Sequence, residues 1–197
     1  MRYWIALLSL SIFSQLSCAF SLDELETQLS QAQVIRGDFA QEKYLRDLPM
    51  PLKSQGNYVL SKQQGLLWFL SKPISKQYRI NGKGVALNTP DGWQIQNKQE
   101  TVARQSRIFL AVLQGDRSGL QQDFDLTLTG TTDNWRLLLT PRSVFLKQIF
   151  QQIEIEGGQL VSSIKLHEVQ GDKTVLRFIN SQPDQQLLSN EQHDFGV

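Results

Sequence analysis

Residues 34–70 read VIRGDFAQEKYLRDLPMPLKSQGNYVLSKQQGLLWFL, and this stretch decides the fold class. Apolar and polar residues alternate over 35–40, which is the period of a half-buried strand. A loop with two prolines at 48–52 then interrupts the chain, and apolar strands follow at 55–60 and 66–70. The stretch therefore predicts three successive strands of a curved sheet.

The strand pattern continues through most of the chain. Turn residues such as Pro90-Asp91-Gly92 and Gly157-Gly158 separate neighbouring strands. Further strands are predicted at 77–80, 85–88, 93–96, 124–129, 135–139, 149–156, 160–168 and 173–179. About eleven antiparallel strands are too many for a flat sheet. We predict a mainly β (α+β) fold with a single curved antiparallel sheet that forms an unclosed half-barrel.

Two helices are predicted among these strands. Leucines recur at helical spacing over 22–33, where Ser21 is a capping residue with a glutamate three positions later. A second amphipathic helix is predicted at 100–113 and can be terminated by Gly115. Its pattern fits an ordinary packing helix and a moving lid equally well. The tail beyond Pro183 is polar, and we expect it to be loosely ordered.

Residues 1–19 have the anatomy of a secretory signal. One arginine precedes an apolar run at 3–16, and small residues flank Cys18. We expect cleavage after Ala19, which leaves residues 20–197 as a single mature domain of about 180 residues. The alternative is a lipoprotein signal acylated on Cys18, although the residue three positions before this cysteine is a glutamine.

Composition argues against several classes of partner. The chain has 20 Lys and Arg against 19 Asp and Glu, and loss of Arg2 with the signal balances them. Such a neutral chain has no basic surface for nucleic acid. It has no lysine or arginine run for stable attachment to an anionic bilayer, so we expect only transient membrane contact. We expect a monomer without cofactor or metal.

Enzymatic chemistry has little support in the sequence. Cys18 is the only cysteine, so the mature chain has no thiol nucleophile and no disulfide. His167 lies on a predicted strand and His193 in the tail, where a lone histidine is more often structural than catalytic. The chain has no serine elbow, phosphate-binding glycine loop or metal-ligand spacing. We predict that the protein is not an enzyme.

Several short motifs occur in an order that resembles a known family. They are Phe39-Ala40-Gln41, Gln55-Gly56-Asn57-Tyr58, Leu67-Trp68, Lys72-Pro73, Thr140-Pro141 and Gly157-Gly158. This order, over residues 21–180, resembles the LolA-type periplasmic carriers of outer-membrane lipoproteins. The resemblance implies that helices cover the concave apolar face of the half-barrel. It also implies acylated cargo, an inner-membrane donor complex and an outer-membrane acceptor.

A carrier of this kind needs an apolar face that binds acyl chains reversibly. Burial contributes roughly 0.8 kcal/mol per methylene, and release favours a shallow cavity with a movable lid over a tight polar pocket. An apolar stripe is otherwise ordinary core, but residues 66–70 are apolar on both strand faces, which favours a cavity unless helix and tail cover both. The candidate lining residues are Ile35, Phe39, Tyr58, Leu60, Leu66, Trp68, Leu70, Ile80, Phe109 and Val112.

Two segments depart from the better-known members of that family. Those members have a basic residue followed by proline in a loop linked to lid closure, where this chain has Lys62-Gln63. Lys62 is therefore a candidate lid contact that keeps the charge without the planar fork of arginine. Residues 48–52 resemble a divergent branch, whose cargo is lipoprotein or another acylated molecule such as a glycolipid. Met50 is a candidate contact to lipid or partner, or else a gap-filling residue.

The alternative function is a periplasmic module that binds protein or peptide without lipid cargo. The exposed edges of an open barrel can capture a partner by strand addition. The density of Trp, Phe, Leu and Ile at inward positions favours the carrier instead. Co-purifying lipid would distinguish the two functions.

Overall fold

The computed structural model describes residues 20–96 and 110–197, which contain eleven strands and several short helices. The strands are β1 (Val34–Tyr44), β2 (Leu52–Ser61), β3 (Gly65–Lys72), β4 (Lys76–Asn81), β5 (Gly84–Thr89), β6 (Gly92–Ile95), β7 (Phe124–Thr131), β8 (Asn134–Pro141), β9 (Phe150–Gly157), β10 (Val161–Glu168) and β11 (Lys173–Asp184). The helices are α1 (Leu22–Ser30), α2 (Arg117–Asp123), α3 (Val144–Lys147) and α4 (Ser189–Phe195). Residues 110–114 are also helical.

All eleven strands form one antiparallel sheet in the order β6-β5-β4-β3-β2-β1-β11-β10-β9-β8-β7. Neighbours in the sheet are also neighbours in sequence, except that β1 pairs with β11. The sheet is not closed, since β6 and β7 lie at its two ends. The predicted mainly β fold with a single unclosed antiparallel sheet is confirmed.

The sheet curves around one apolar core. Ile80 on β4 and Leu126 on the end strand β7 pack against the same cluster of buried residues. β1 carries a bulge between Arg36 and Asp38 where it pairs with β11, and a bulge bends and twists its strand. Gly37 lies within this bulge, and a Cβ atom there would be 2.9 Å from the carbonyl oxygen of Ile179.

The predicted N-terminal helix is present with its predicted cap. The Ser21 hydroxyl accepts a hydrogen bond from the Glu24 amide (3.2 Å), and the Glu24 carboxylate accepts one from the Ser21 amide (2.8 Å). α1 ends at Ser30, earlier than expected, because the Gln33 carbonyl already accepts a hydrogen bond from the backbone of Lys62 in the β2–β3 turn (3.0 Å).

The second predicted helix lies partly outside the described residues. Residues 110–114 are helical, and Gly115 follows with a positive φ of 69°, as expected for a residue that ends a helix. A Cβ atom on Gly115 would be 3.1 Å from the Cβ of Leu29, so this turn packs directly against α1.

The expectation of two helices and a loosely ordered tail is wrong. α2, α3 and α4 have only seven, four and seven residues, too few for a recognisable apolar period. β11 continues to Asp184, and α4 then packs Phe195 into a second apolar cluster with Val34, Val59 and Leu67. The tail is polar on average, but its few apolar residues pack against an apolar face of the sheet.

No helix in the described part of the chain is both long and apolar enough to span a bilayer.

Candidate functional site

The predicted lining residues converge on the covered face of the sheet. Nine of them belong to, or pack against, one apolar cluster: Ile35, Phe39, Tyr58, Leu60, Leu66, Trp68, Leu70, Ile80 and Val112. Phe109 lies outside the described residues. The strand register explains the convergence, because Ile35, Leu60 and Leu66 stand opposite one another on β1, β2 and β3.

Aromatic rings form the middle of this face. Phe39 stacks on Trp68 with a centroid separation of 3.6 Å, and Phe178 meets Tyr58 edge-on at 5.1 Å. Gly56 faces Phe39 across the β1–β2 pair, and its missing side chain leaves room for the stack. These rings fill the centre of the face.

Tyr58 lies on the covered face, and its hydroxyl already has a hydrogen-bond partner. Its hydroxyl lies 2.8 Å from the Ser181 hydroxyl, and its side chain is almost fully buried. Burial raises the pKa of the Tyr58 hydroxyl, so the phenol stays neutral. The buried Tyr58 ring therefore adds apolar contact without adding a charge.

The face is fully packed at its centre and partly open toward β4. Phe39, Leu66 and their neighbours are buried, whereas Trp68, Leu70 and Ile80 keep part of their surface exposed. Trp68 and Leu70 follow Leu66 at alternate positions of β3, and Ile80 lies opposite Leu66 on β4. An apolar surface thus remains accessible beside the closed core.

Three helical segments cover the opposite half of the face. α1, residues 110–114 and α2 supply buried side chains such as Leu25, Val112 and Leu120. A cavity of about 30 Å³ remains beneath them. Its walls are formed by Leu22, Leu25, Glu26, Leu29, Val112, Gly115, Arg117, Leu120, Leu126 and Leu137.

A few polar contacts hold these helices in place. The Lys62 ammonium donates to the Ser30 carbonyl at the end of α1, and Gln114 donates to the carbonyls of Ser61 (3.2 Å) and Lys62 (3.1 Å). The Gln28 side chain donates to the Thr132 carbonyl (3.2 Å). Burial lowers the pKa of the Lys62 ammonium. The β2–β3 turn therefore contacts both α1 and residues 110–114, and Lys62 takes part in both contacts.

A family model identifies the chain. The model described as "Outer membrane lipoprotein carrier protein LolA-like" matches residues 16–185, which is most of the sequence. The chain belongs to the LolA-like family. The predicted resemblance is confirmed. LolA-like proteins are periplasmic, generally bind lipids or lipoproteins, and are generally non-enzymatic.

Solved structures resemble this LolA-like protein at low sequence identity. One chain in the complex structure of Pseudomonas aeruginosa MucA/MucB matches with a TM-score of 0.51 and 14% identity, over 86% of this chain and 58% of that chain. This protein therefore spans little more than half of that neighbour's length. A LolA superfamily protein from Nitrosomonas europaea matches with a TM-score of 0.49 and 10% identity, over 87% of this chain and 96% of that chain. At such identity the MucA/MucB likeness shows the fold alone. No curated protein matches the chain.

Strand β3 of this LolA-like protein is apolar on both faces for a structural reason. Leu67 is fully buried and Phe69 half-buried on the outer face, where both belong to the cluster around Phe195 of α4. The pattern at 66–70 thus results from burial by helix and tail. It gives no separate support for a cavity.

Met50 does not fill a gap in the core, so that interpretation is wrong. Its side chain is 68% exposed in the β1–β2 loop. The two flanking prolines restrict the local backbone. Contact with a lipid or a partner stays a prediction for this residue.

Half of the covered face comes from strands that the candidate residues omitted. Ile164, Leu176 and Phe178 are buried in the same cluster, and Leu126 packs against it. The signal was available, because Leu126, Leu137 and their neighbours alternate with polar residues in the same period of two. The pairing of β1 with β11, which joins the two halves of the chain, could not be read from that period.

Among residues 20–96 and 110–197, no group of three or more His, Cys, Asp or Glu side chains could hold a metal ion.

Proposed function

We propose that this protein is a periplasmic carrier that binds acyl chains of lipoproteins or related lipids and moves them from the inner to the outer membrane. The observation that carries the proposal is the accessible apolar surface of Trp68, Leu70 and Ile80, continuous with a helix-covered apolar core. Membership of the LolA-like family supports the same conclusion.

The binding mode follows from the dimensions and chemistry of the face. An acyl chain gains affinity from each methylene that leaves water, and needs no polar partner along its length. The space beneath the described helices is about 30 Å³, so we expect an acyl chain that enters there to move the helices outward. Among the described residues, polar contacts of Lys62, Gln28 and Gln114 and the buried apolar side chains of the helices oppose that movement. We therefore assign α1 and residues 110–114 to the lid.

The export signal and the transfer partners belong to the same proposal. Residues 1–19 would direct the chain across the inner membrane and be removed after Ala19. A donor complex in the inner membrane would load the carrier, and an acceptor at the outer membrane would unload it. Transfer needs no covalent chemistry, because both steps exchange one apolar environment for another.

A second function is favoured by one feature of the sheet. β7 lies at the end of the sheet, and its eight residues pair only with β8 among the described strands. Such an edge can add a strand from a peptide or protein partner. A periplasmic protein-binding module without lipid cargo is therefore the competing proposal.

Native mass spectrometry with lipid extraction tests the carrier. The full chain would be expressed with its own N-terminus and purified from the periplasm of a bacterial host. We expect a bound acyl-containing mass, together with loss of residues 1–19. A protein that carries no lipid and also rejects added lipid and lipopeptide would support the binding module instead.

Paired substitutions connect the bound lipid to the proposed face. Leu70→Asp places a charge on the accessible inward surface and should abolish lipid retention. Ile179→Asp is the matched control, because Ile179 is 45% exposed on β11 beside inward-facing Phe178. Circular dichroism must show a native fold for both. Equal lipid retention by the two variants would contradict the assignment of the face.

A further inference from the structure

Most of the large apolar side chains that are exposed in the described residues lie at one end of the sheet. In an antiparallel sheet the turns alternate between two rims. The rim that contains the C-terminal end of β1 includes the loops 45–51, 73–75, 90–91, 142–149 and 169–172. Its exposed apolar residues, which we call the apolar rim, are Tyr44, Leu48, Met50, Leu52, Ile74, Val144, Phe145 and Val169.

The opposite rim has a different character. Its turns at 62–64, 82–83, 132–133 and 158–160 consist of polar residues and glycine apart from Leu160. The remaining exposed large apolar residues of the described part are Ile95, Ile179, Leu188 and Val197. Exposed apolar surface is therefore concentrated at one rim, which marks an interaction site more often than scattered surface residues do.

Contacts between loops join three parts of the apolar rim. The Arg46 amide donates to the Asp172 carboxylate (3.0 Å), which joins the β1–β2 loop to the β10–β11 loop. The Val169 amide donates to the Ile149 carbonyl (3.0 Å), which joins that loop to the segment after α3. Residues distant in sequence thus form one surface.

The β1–β2 loop presents its apolar residues directly to solvent. Leu48, Met50 and Leu52 are 47%, 68% and 54% exposed. Pro49 and Pro51 alternate with them, so the loop has a restricted backbone and lacks two amide donors that could pair it with the sheet. Exposure of these side chains costs free energy in water, and a partner that buries them would recover it.

Positive charge lies among the apolar residues. Lys72 and Lys76 flank Ile74, and Lys147 follows Phe145 on α3. All three lysines are exposed, and none forms an ion pair with another described residue. Exposed apolar side chains with neighbouring lysines suit the interface of a bilayer that contains anionic lipid.

We propose that the apolar rim seats the protein shallowly on the surface of a bilayer that contains anionic lipid. The inference rests on the proposed carrier function, because a carrier of acyl chains must meet the membrane where its cargo resides. Arg46 and Asp47, both strongly exposed beside Leu48, keep the insertion shallow. Shallow seating is reversible and fits the neutral charge balance of the mature chain.

Vesicle flotation tests this seating on the protein purified from the periplasm. Vesicles of phosphatidylethanolamine and phosphatidylglycerol are compared with vesicles of phosphatidylcholine. We expect binding to the anionic vesicles that weakens at high salt. The variant Leu48→Ser/Met50→Ser/Ile74→Ser should lower the bound fraction about tenfold, since three apolar side chains no longer enter the interface. Lys72→Glu/Lys76→Glu, which leaves the apolar residues intact, should also lower it.

Matched variants and a second readout separate the possible outcomes. Ile95→Ser/Ile179→Ser removes comparably exposed apolar groups outside the rim and should bind vesicles as the native protein does. Uptake of a soluble fluorescent fatty acid should be equal in all variants, and its absence in the native protein would refute the carrier rather than the seating. A rim variant that binds vesicles normally would overturn the proposal. So would a native protein that binds neither vesicle type, and a protein partner would then be assigned to the rim.

Discussion

At the scale of single residues, the absence of a side chain at Gly56 shapes the covered face. A Cβ atom at this position would lie 1.9 Å from the Phe69 carbonyl oxygen and 2.9 Å from Cε1 of Phe39. Neither neighbour can move away easily, because Phe69 belongs to the β2–β3 ladder and Phe39 is stacked on Trp68. Gly56 therefore permits both the close strand pairing and the aromatic stack.

We predict that Gly56→Ala lowers the free energy of unfolding by about 3 kcal/mol, because the added methyl group forces the backbone or the ring to shift. Urea denaturation measures the change. Gly82→Ala is the control, since nothing lies within 4 Å of a Cβ atom there. A Gly56→Ala protein as stable as the Gly82→Ala protein would show that the space beside Phe39 is not restrictive.

At the scale of elements, the β9–β10 hairpin carries a charge cluster on its outer face. Lys165 lies 2.5 Å from the Glu154 carboxylate and 3.0 Å from that of Glu156. The hydrogen bond from Lys165 holds the pKa of Glu156 below its ordinary value of 4.5, and the Glu154 hydrogen bond raises the pKa of Lys165. The cluster stabilises the hairpin while Lys165 and the two glutamates are charged.

This shift predicts how stability responds to acid. Because the pKa of Glu156 is lower in the folded than in the unfolded state, its contribution is present above the unfolded pKa and is lost as the pH falls through the folded pKa. Glu156→Gln should therefore lower stability near neutral pH and reduce the loss between about pH 5 and pH 3. Urea denaturation across that range measures both. Parallel stability curves for the variant and the native protein would refute the role of Glu156.

The C-terminal helix is a second element with a measurable contribution. α4 buries Phe195 against the outer face of β1–β3. Arg36 Nε donates a hydrogen bond to the buried Glu191 carboxylate (2.5 Å). We predict that Phe195→Ala destabilises the protein by about 3 kcal/mol, because it removes a buried ring. Hydrogen exchange should accelerate over 185–197 in the same variant. Asn190→Ala, at an exposed position of α4, is the control. If both substitutions change the free energy of unfolding by a similar small amount, the helix contributes little to stability.

At the scale of the whole molecule, the proposed uptake of an acyl chain would separate the helices from the sheet. Gln28 on α1 lies beside Thr132 in the β7–β8 turn, so Gln28→Cys/Thr132→Cys can be bridged by a cleavable bismaleimide. We predict that the bridge slows fatty-acid uptake at least tenfold and that cleavage restores it, since the bridge would hold α1 against the sheet.

A bridge within the sheet is the control for this prediction. Thr129 and Arg136 are paired across β7 and β8, so Thr129→Cys/Arg136→Cys links two strands without restraining α1. Cys18, the one native cysteine, would be removed with the signal. Uptake that continues at the native rate with α1 bridged would exclude α1 from the lid.

Much of the fold was predictable because strand periodicity is a local property. All eleven predicted strands are present, and the β9–β10 hairpin lies at its predicted glycines. Their ends were extended by pairing: β1 continues to Tyr44 only because it pairs with both β2 and β11. The tail was mispredicted because α4 depends on the apolar sheet face of Val34, Val59 and Leu67, which are distant in sequence.

The sequence by itself determined the type, number and order of the strands, the cap of α1 and the inward positions of the first half of the sheet, because each depends on neighbouring residues. The tertiary structure alone decided which strands from the second half share that face, which helices cover it, and that four separate loops with their flanking residues form one apolar rim. These features depend on the β1–β11 pairing and on the curvature of the sheet, which bring together residues that no local pattern connects.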